Sequence, residues 1–313
     1  MAVDGLRVAV IGIGHLGRHH ARLLSSMDGV VLTAVVDTVP ERAADAAGTT
    51  GARPLNDFRE LVGQVDAVVV AVPTEMHRQV AQPFLEHGTA VLVEKPMSRS
   101  LDDADAMLAS ARRGGAVLAV GHTERYNPAV TAIRPLVTAP RFIEVHRLSA
   151  FPERSLDIDV VFDLMIHDLD IILSMVEGEV ASIEAVGVPV LTSKYDIANV
   201  RLRFTSRCIA NLTASRISRD RVRKLRFFQP DSYLSIDYAT QEAEGWRLVR
   251  GDGERPRIEG GPIGVERDEP LRRELVDFVR AARTRTAAVV DGTAGRRALE
   301  LASRIASQME SAV

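Results

Sequence analysis

Along the first 122 residues, short apolar runs alternate with segments of helical periodicity. Leu6–Ile11, Val30–Val36, "VDAVVVAVP" from Val65, "AVLVEKP" from Ala90 and "AVLAVGH" from Ala116 are each too short for a helix and read as buried strands. Between them, Asp57 to Leu61 reads as helical, and "EMHRQVAQPFLEHG" as a helix closing at Gly88. "SLDDADAMLASARRGG" opens on Ser100 as an N-cap and stops at Gly114-Gly115. Repeated strand–helix units of this kind predict a parallel sheet covered on both faces. Ligands of such sheets bind at the carboxyl ends of the strands, where Pro73-Thr74, Glu94-Lys95-Pro96 and Gly121-His122 fall.

From residue 123 the pattern changes. "RFIEVHRLSAF", "VASIEAVGVPVL", "ANVRLRFTSRCIANLTASRI" and "RKLRFFQPDSYLSIDY" are longer strand-like stretches, with turn chemistry such as Gln229-Pro230-Asp231 between runs. Leu271–Arg283 and Thr293–Met309 read as amphipathic helices separated by "DGTAG". The expected fold is therefore α/β followed by α+β. An N-terminal domain over 1–122 holds a parallel sheet. A C-terminal domain over 123–313 holds an open, mostly antiparallel sheet, with its last helices free to pack back on the first domain. An open sheet face of that kind is expected to be covered by a second copy, in a homodimer or homotetramer.

Composition narrows the function classes. The chain has 313 residues, 46% hydrophobic and 26% charged, with a formal net charge of −3, which favours neither nucleic acid nor an anionic membrane as partner. No run approaches the ~18 apolar residues of a membrane span, and the N-terminus enters a strand directly without a signal-peptide pattern. The single cysteine, Cys208, excludes an intramolecular disulfide framework and fits a reducing, cytoplasmic setting.

The first strand is followed by "GIGHLGRHHARLL", in which Gly12, Gly14 and Gly17 satisfy GxGxxG. Gly12 permits the tight turn, Gly14 lets backbone approach a pyrophosphate, and Gly17 allows close strand–helix packing. The second strand ends in Asp37, twenty positions after Gly17, where a carboxylate accepts from ribose hydroxyls. Strand, glycine turn, helix, strand and acid together predict a Rossmann domain. The acid favours NAD over NADP, with Arg42 nearby as the residue that would soften that preference. His15, His19 and His20 lie on the first helix, and only His15 and His19 share a face. These three are expected in packing or solvent positions near the phosphate turn.

In the second half, "DIDVVFDLMIHDLDIILSMV" carries Asp159, Asp163, His167 and Asp170, which ideal helical spacing puts on one face, among positions that are mostly Val, Leu, Ile and Met. An imidazole held by a carboxylate is an oriented general base, and a satisfied structural pair is the alternative. Asp163, His167, Asp168 and Asp170 are also metal-ligand types. Only part of that set can converge from one helix, so no metal is expected.

"GIGHLGRHHA", "AVPTEMH", "VEKP" and "DLMIHDLD" together resemble the Gfo/Idh/MocA family of nicotinamide-dependent oxidoreductases, along nearly the whole chain. The resemblance implies Lys95, Asp163 and His167 as the catalytic set, with a cis bond before Pro96. It implies a cofactor site of Gly12, Gly14, His15, Leu16, Gly17, Asp37, Pro73, Thr74, His77, Glu94, Lys95 and Pro96, filled by NAD. It leaves open whether Lys95 or His167 is the formal base. "GHTERYNPAV", "RSLDIDVVFDLMIHDLDIILS" and "RISRDRVRKLRFFQPDSYLSIDY" are further similar to bacterial UDP-N-acetylglucosamine 3-dehydrogenases. That similarity implies oxidation of a nucleotide sugar at C3 and an aminotransferase as pathway partner in lipid A biosynthesis. His122, Glu124, Arg125, Tyr126, Asn127, Arg154 and Arg216 are then the candidate substrate contacts. The basic run from Arg216 to Arg226 is the candidate diphosphate site, or alternatively a solvated strand face. Two other functions compete: dehydrogenation of a free polyol or inositol, which needs no diphosphate site, and a nucleotide-binding regulator without turnover.

Overall fold

A computed structural model describes residues 5–151, 158–250 and 255–310. It divides into two compact units: residues up to His122 together with Leu271–Arg296, and Thr123–Pro270 together with the chain from Arg297.

The first unit contains β1 (Leu6–Ile11), α1 (Gly17–Ser25), β2 (Val30–Val36), α2 (Pro40–Thr50), β3 (Arg53–Leu55), β4 (Ala67–Val70), α3 (His77–Glu86), β5 (Ala90–Glu94), α4 (Leu101–Gly114) and β6 (Leu118–Gly121). Its six strands run in the order β3-β2-β1-β4-β5-β6, and every pairing is parallel. The central strands are buried throughout, with all four residues of β4 and all five of β5 inside. This is why they read as unbroken apolar runs. Ser100 caps α4 by accepting from the Asp103 backbone N–H, and Gly115 closes the helix in the left-handed region. The predicted Asp57–Leu61 helix is a single 3₁₀ turn over Phe58–Leu61, capped by Asp57. β3 has no counterpart in the sequence reading. It is three residues long, sits at the sheet edge and contains Pro54, a residue that edge strands tolerate.

The second unit contains α5 (Pro128–Ile133), β7 (Phe142–Leu148), α6 (Ile166–Met175), β8 (Val180–Val188), β9 (Ile197–Phe204), β10 (Ile209–Ser215), β11 (Val222–Phe228), β12 (Ser232–Asp237), β13 (Glu242–Val249) and β14 (Arg257–Ile263). The eight strands lie in the order β14-β13-β12-β11-β7-β10-β9-β8. All pairs are antiparallel except β7 with β10. Alternation is clear in β7 and β9, where every second residue is buried against α5, α6 and the end of the chain. The β13–β14 hairpin was not anticipated, because its half-exposed, glycine-bearing strands carry little apolar signal. The chain ends in α7 (Pro270–Thr284) and α8 (Gly292–Glu310). α7 contributes Leu275, Phe278, Val279, Ala281 and Ala282 to the core of the first unit.

Candidate active site

The phosphate turn follows directly from local geometry. Gly12 has φ of +90°, and a Cβ there would stand 2.6 Å from the Ala71 carbonyl oxygen. A Cβ on Gly17 would stand 1.7 Å from the Gly12 oxygen, so α1 can start only if Gly17 has no side chain. A Cβ on Gly14, by contrast, would meet nothing within 4 Å. That open backbone is where a pyrophosphate fits against the helix start. Asp37 is buried at the end of β2. Its Oδ2 accepts from the Ile13 N–H at 2.8 Å and its Oδ1 from Val39 N–H at 2.9 Å, leaving the outer lone pairs for ribose hydroxyls. A cavity of about 540 Å³ adjoins the turn, lined by Gly14, His15 and Arg18 on one side and Arg42, Asp45 and Thr49 on the other. The residues present therefore fit NAD.

Around the turn, Leu16 and His15 are exposed. Arg18 donates to His15 Nδ1 at 3.1 Å, and the His15 and His19 rings meet edge-on at 5.4 Å, the shared face expected for that pair. His20 takes the packing alternative. It is fully buried, with Nε2 2.7 Å from Glu94 Oε1.

The tips of β4 and β5 carry the second part of the cofactor unit. Pro73 and Thr74 lead into α3, and Lys95 follows β5, half-buried, with a cis peptide bond to Pro96. His77 is buried between these turns, its Nε2 3.0 Å from the Val72 carbonyl and its Nδ1 3.1 Å from the Pro96 carbonyl. Burial pushes the His77 imidazole below its ordinary value, against the opposing pull of those carbonyls and of the Glu94 charge. This ring ties the two strand ends together. Glu94, buried too, accepts from the Lys95 backbone N–H at 3.2 Å. Burial raises its carboxyl, but the His20 hydrogen bond and charge, with the charge of Lys95, bring it below the usual carboxylate range.

In the second unit, the acid–imidazole stripe is less regular than its spacing suggested. Val161–Met165 forms a π-helical turn before α6, and such turns recur at functional sites. Asp163 lies in that turn and His167 in the first turn of α6, both half-buried. Asp159 precedes the helix and is not part of the stripe: its Oδ1 accepts from the Tyr195 N–H at 2.9 Å. Asp168 and Asp170 face inward to arginines. Arg147 Nε donates to Asp168 at 2.6 Å and its second terminal nitrogen at 2.9 Å; Arg125 grips Asp170 through donors at 2.8 and 2.6 Å. Tyr238 donates to Asp168 at 3.1 Å, and the Arg147 guanidinium lies 4.9 Å from the Tyr238 ring centroid. These buried clamps fix the helix that bears His167, and no sequence spacing revealed them.

The candidate substrate contacts take different places. His122 is fully buried at the end of β6, and Tyr126 is buried one turn later. Glu124 accepts from Arg147 at 3.0 Å, while Arg125 is engaged with Asp170. Asn127 caps α5 through the Ala129 N–H and donates to the Tyr238 carbonyl. Arg216 is buried and donates to Asp196, the Ile158 carbonyl and Thr192, so its guanidinium serves the fold. Arg154 lies outside the described residues. The rest of the basic run divides as strand alternation requires: Arg226 pairs with Glu144 on one sheet face, while Arg223 stands opposite Arg147 on the other.

A parallel sheet with a pyrophosphate turn and a ribose acid, joined to an open antiparallel sheet, defines a two-unit NAD-dependent oxidoreductase. Family models agree: residues 6–122 match the oxidoreductase family with an NAD-binding Rossmann fold, and residues 139–229 match the GFO/IDH/MocA C-terminal domain. The chain belongs to the Gfo/Idh/MocA family. It is 37% identical over 97% of its length, and 97% of the relative's, to UDP-N-acetylglucosamine 3-dehydrogenase of Acidithiobacillus ferrooxidans. A solved structure of that enzyme superposes with a TM-score of 0.92 at 36% identity, covering 98% of each chain. An inositol 2-dehydrogenase of Mycolicibacterium smegmatis is 33% identical over 58% of this chain and 56% of its own. Levoglucosan dehydrogenase in complex with NADH and levoglucosan shares the fold, with a TM-score of 0.87 at 18% identity over 98% of each chain. Among the described residues no helix is long and apolar enough to cross a membrane.

Proposed function

We propose that the protein oxidises the C3 hydroxyl of UDP-N-acetylglucosamine to a ketone, with Lys95, Asp163 and His167 serving the reaction. The observation that carries this reading is full-length likeness to a UDP-N-acetylglucosamine 3-dehydrogenase, extending through both units at 37% identity. Likeness to the inositol dehydrogenase covers 58% of the chain. Bound NAD⁺ supplies the hydride acceptor. His167 takes the hydroxyl proton as the C–H bond yields its electron pair, and Asp163 favours the resulting imidazolium. Lys95, as an ammonium, stabilises the developing alkoxide by a charge-assisted hydrogen bond. The product is a 3-keto nucleotide sugar, fit for an aminotransferase of lipid A precursor synthesis. The lone cysteine suits a cytoplasmic reaction.

Self-association is part of the proposal. Phe142, Phe228, Tyr233 and Trp246 are in register across β7, β11, β12 and β13, forming an aromatic row on the sheet face away from the core. Light scattering on the purified protein should give a dimer or tetramer mass.

The test is NADH formation with UDP-N-acetylglucosamine beside other UDP-sugars and free polyols. Turnover of UDP-N-acetylglucosamine, with His167→Ala lowering kcat by about 10²–10⁴-fold at unchanged NAD affinity, is expected. Turnover of free inositol alone would replace the substrate, and NAD binding without any turnover would favour a regulator.

A further inference from the structure

Among the described residues Arg216 is the largest side chain to be fully buried, at 1% exposure, and its partner Asp196 is at 0%. Arg216 Nε donates to Asp196 Oδ1 at 2.8 Å, while Asp196 Oδ2 accepts the N–H groups of Val190, Leu191 and Thr192 at 2.8, 2.6 and 2.9 Å. Burial raises the Asp196 carboxyl, but the Leu191 and Thr192 N–H groups and the Arg216 guanidinium hold it below the usual carboxylate range. The pair is therefore ionic. An apolar pair of similar volume is often as stable or more so, so what these charges contribute is geometry.

The segment they hold is the one that enters the π turn. From its place beside Asp196, the Arg216 guanidinium donates to the Ile158 carbonyl at 2.8 Å. The next two residues are held as well: Asp159 Oδ1 accepts from the Tyr195 N–H at 2.9 Å, and the Val160 N–H donates to the Tyr195 carbonyl at 3.1 Å. The Asp159 carbonyl then accepts from the Phe162 and Asp163 N–H groups, each at 3.1 Å, so the Asp163 backbone hangs on the clamped segment. In an unbroken α-helix, periodicity alone would fix Asp163 relative to His167. The wider Val161–Met165 turn breaks that phase. The arginine clamps on Asp168 and Asp170 fix α6, but Asp163 lies across the turn from them and needs an anchor on its own side. Residues 158–160 supply it.

We propose that Arg216 and Asp159 are positioning residues: they hold the chain entering the π turn, and with it the backbone of Asp163, in fixed register with α6. The inference rests on Asp163 serving the reaction. At 1% exposure the Arg216 guanidinium acts through the chain and not by contact with a diphosphate.

The first measurement needs no substrate. Hydrogen exchange of the full-length protein, read by mass spectrometry, follows the peptide covering 158–165. Arg216→Lys keeps a charge for Asp196 but replaces the planar fork by a single ammonium, and Asp159→Ala removes the acceptor of the Tyr195 N–H. Each should speed exchange of that peptide about tenfold, with peptides of the first unit unchanged. The second measurement is turnover of the substrate found among UDP-sugars and polyols. Both variants should lose about 10–10²-fold in kcat at unchanged KM and NAD affinity, the pattern of an interaction made only in the transition state. Asp159→Asn keeps the acceptor and should restore both exchange and kcat. Unmoved exchange, or undiminished kcat, in both Arg216→Lys and Asp159→Ala, with circular dichroism showing them folded, overturns the proposal. A raised KM at unchanged kcat also overturns it and returns Arg216 to substrate binding. If Arg216→Lys fails to fold, Asp159→Ala decides alone. Asp163→Ala is the separate control. Retained turnover there overturns the role of Asp163 in the reaction, whereas lost turnover with undiminished kcat in the other two variants overturns the positioning alone.

Discussion

Asp168 is the position where the packing argument can be tested most sharply. It is 1% exposed and accepts two donors from Arg147, itself 4% exposed, as well as the Tyr238 hydroxyl. Replacing Asp168 by Ala leaves a buried guanidinium with Glu124 as its remaining acid, and removes the acceptor of a buried phenol. Breaking one side of a buried ion pair costs about 3–5 kcal/mol, and an orphaned hydroxyl about 1–3 more, the two being non-additive. Glu124 remains at 3.0 Å and is partly exposed, which draws the expected loss to about 4 kcal/mol. Asp168→Asn keeps the shape and one acceptor and should lose about half as much. The Arg147→Met/Asp168→Leu pair removes both charges and should recover most of the stability. Urea unfolding followed by far-ultraviolet circular dichroism measures all three. A loss below about 1 kcal/mol for Asp168→Ala would mean that the pair behaves as a solvated surface bridge, and the reasoning from burial would be wrong.

Four other outcomes follow. Gly14→Ala should fold normally yet lose at least about tenfold in NAD affinity, or 1.4 kcal/mol, by calorimetric titration. Gly17→Ala should fail at folding, because its Cβ has no room beside the Gly12 oxygen. Burial and the Asp168 charge hold the Tyr238 hydroxyl protonated well above its ordinary value. Its contribution is therefore complete below about pH 10 and is lost as pH rises further, at about 1.4 kcal/mol per unit. Tyr238→Phe should flatten that alkaline decline in unfolding free energy. Burial pushes the Cys208 thiol up to about 11, so a disulfide reagent at mild alkaline pH should label it only after the protein unfolds.

What the sequence determined by itself was everything that a local rule controls. The parallel strands were legible because burial on both faces leaves continuous valine-rich runs, as in Ala67–Val70. The phosphate turn was legible because Gly12 and Gly17 answer steric demands within one short segment, and Asp37 because strand length fixes its distance from them. β3 and the β13–β14 hairpin escaped, since edge strands and half-exposed ribbons need little apolar patterning. The stripe on the second-unit helix was only partly legible, because a π turn interrupts the spacing and Asp159 caps a neighbouring segment instead. Tertiary structure alone decided which charged residues serve the fold. Arg125, Arg147 and Arg216 carry the same sequence signature as surface arginines, yet each meets an acid far along the chain, at Asp170, Asp168 and Asp196. His20 and Glu94, 74 residues apart, form their bond for the same reason. Burial of charge is a pairwise property: it becomes favourable only when folding brings the partner within hydrogen-bond reach, and no local pattern records where that partner lies.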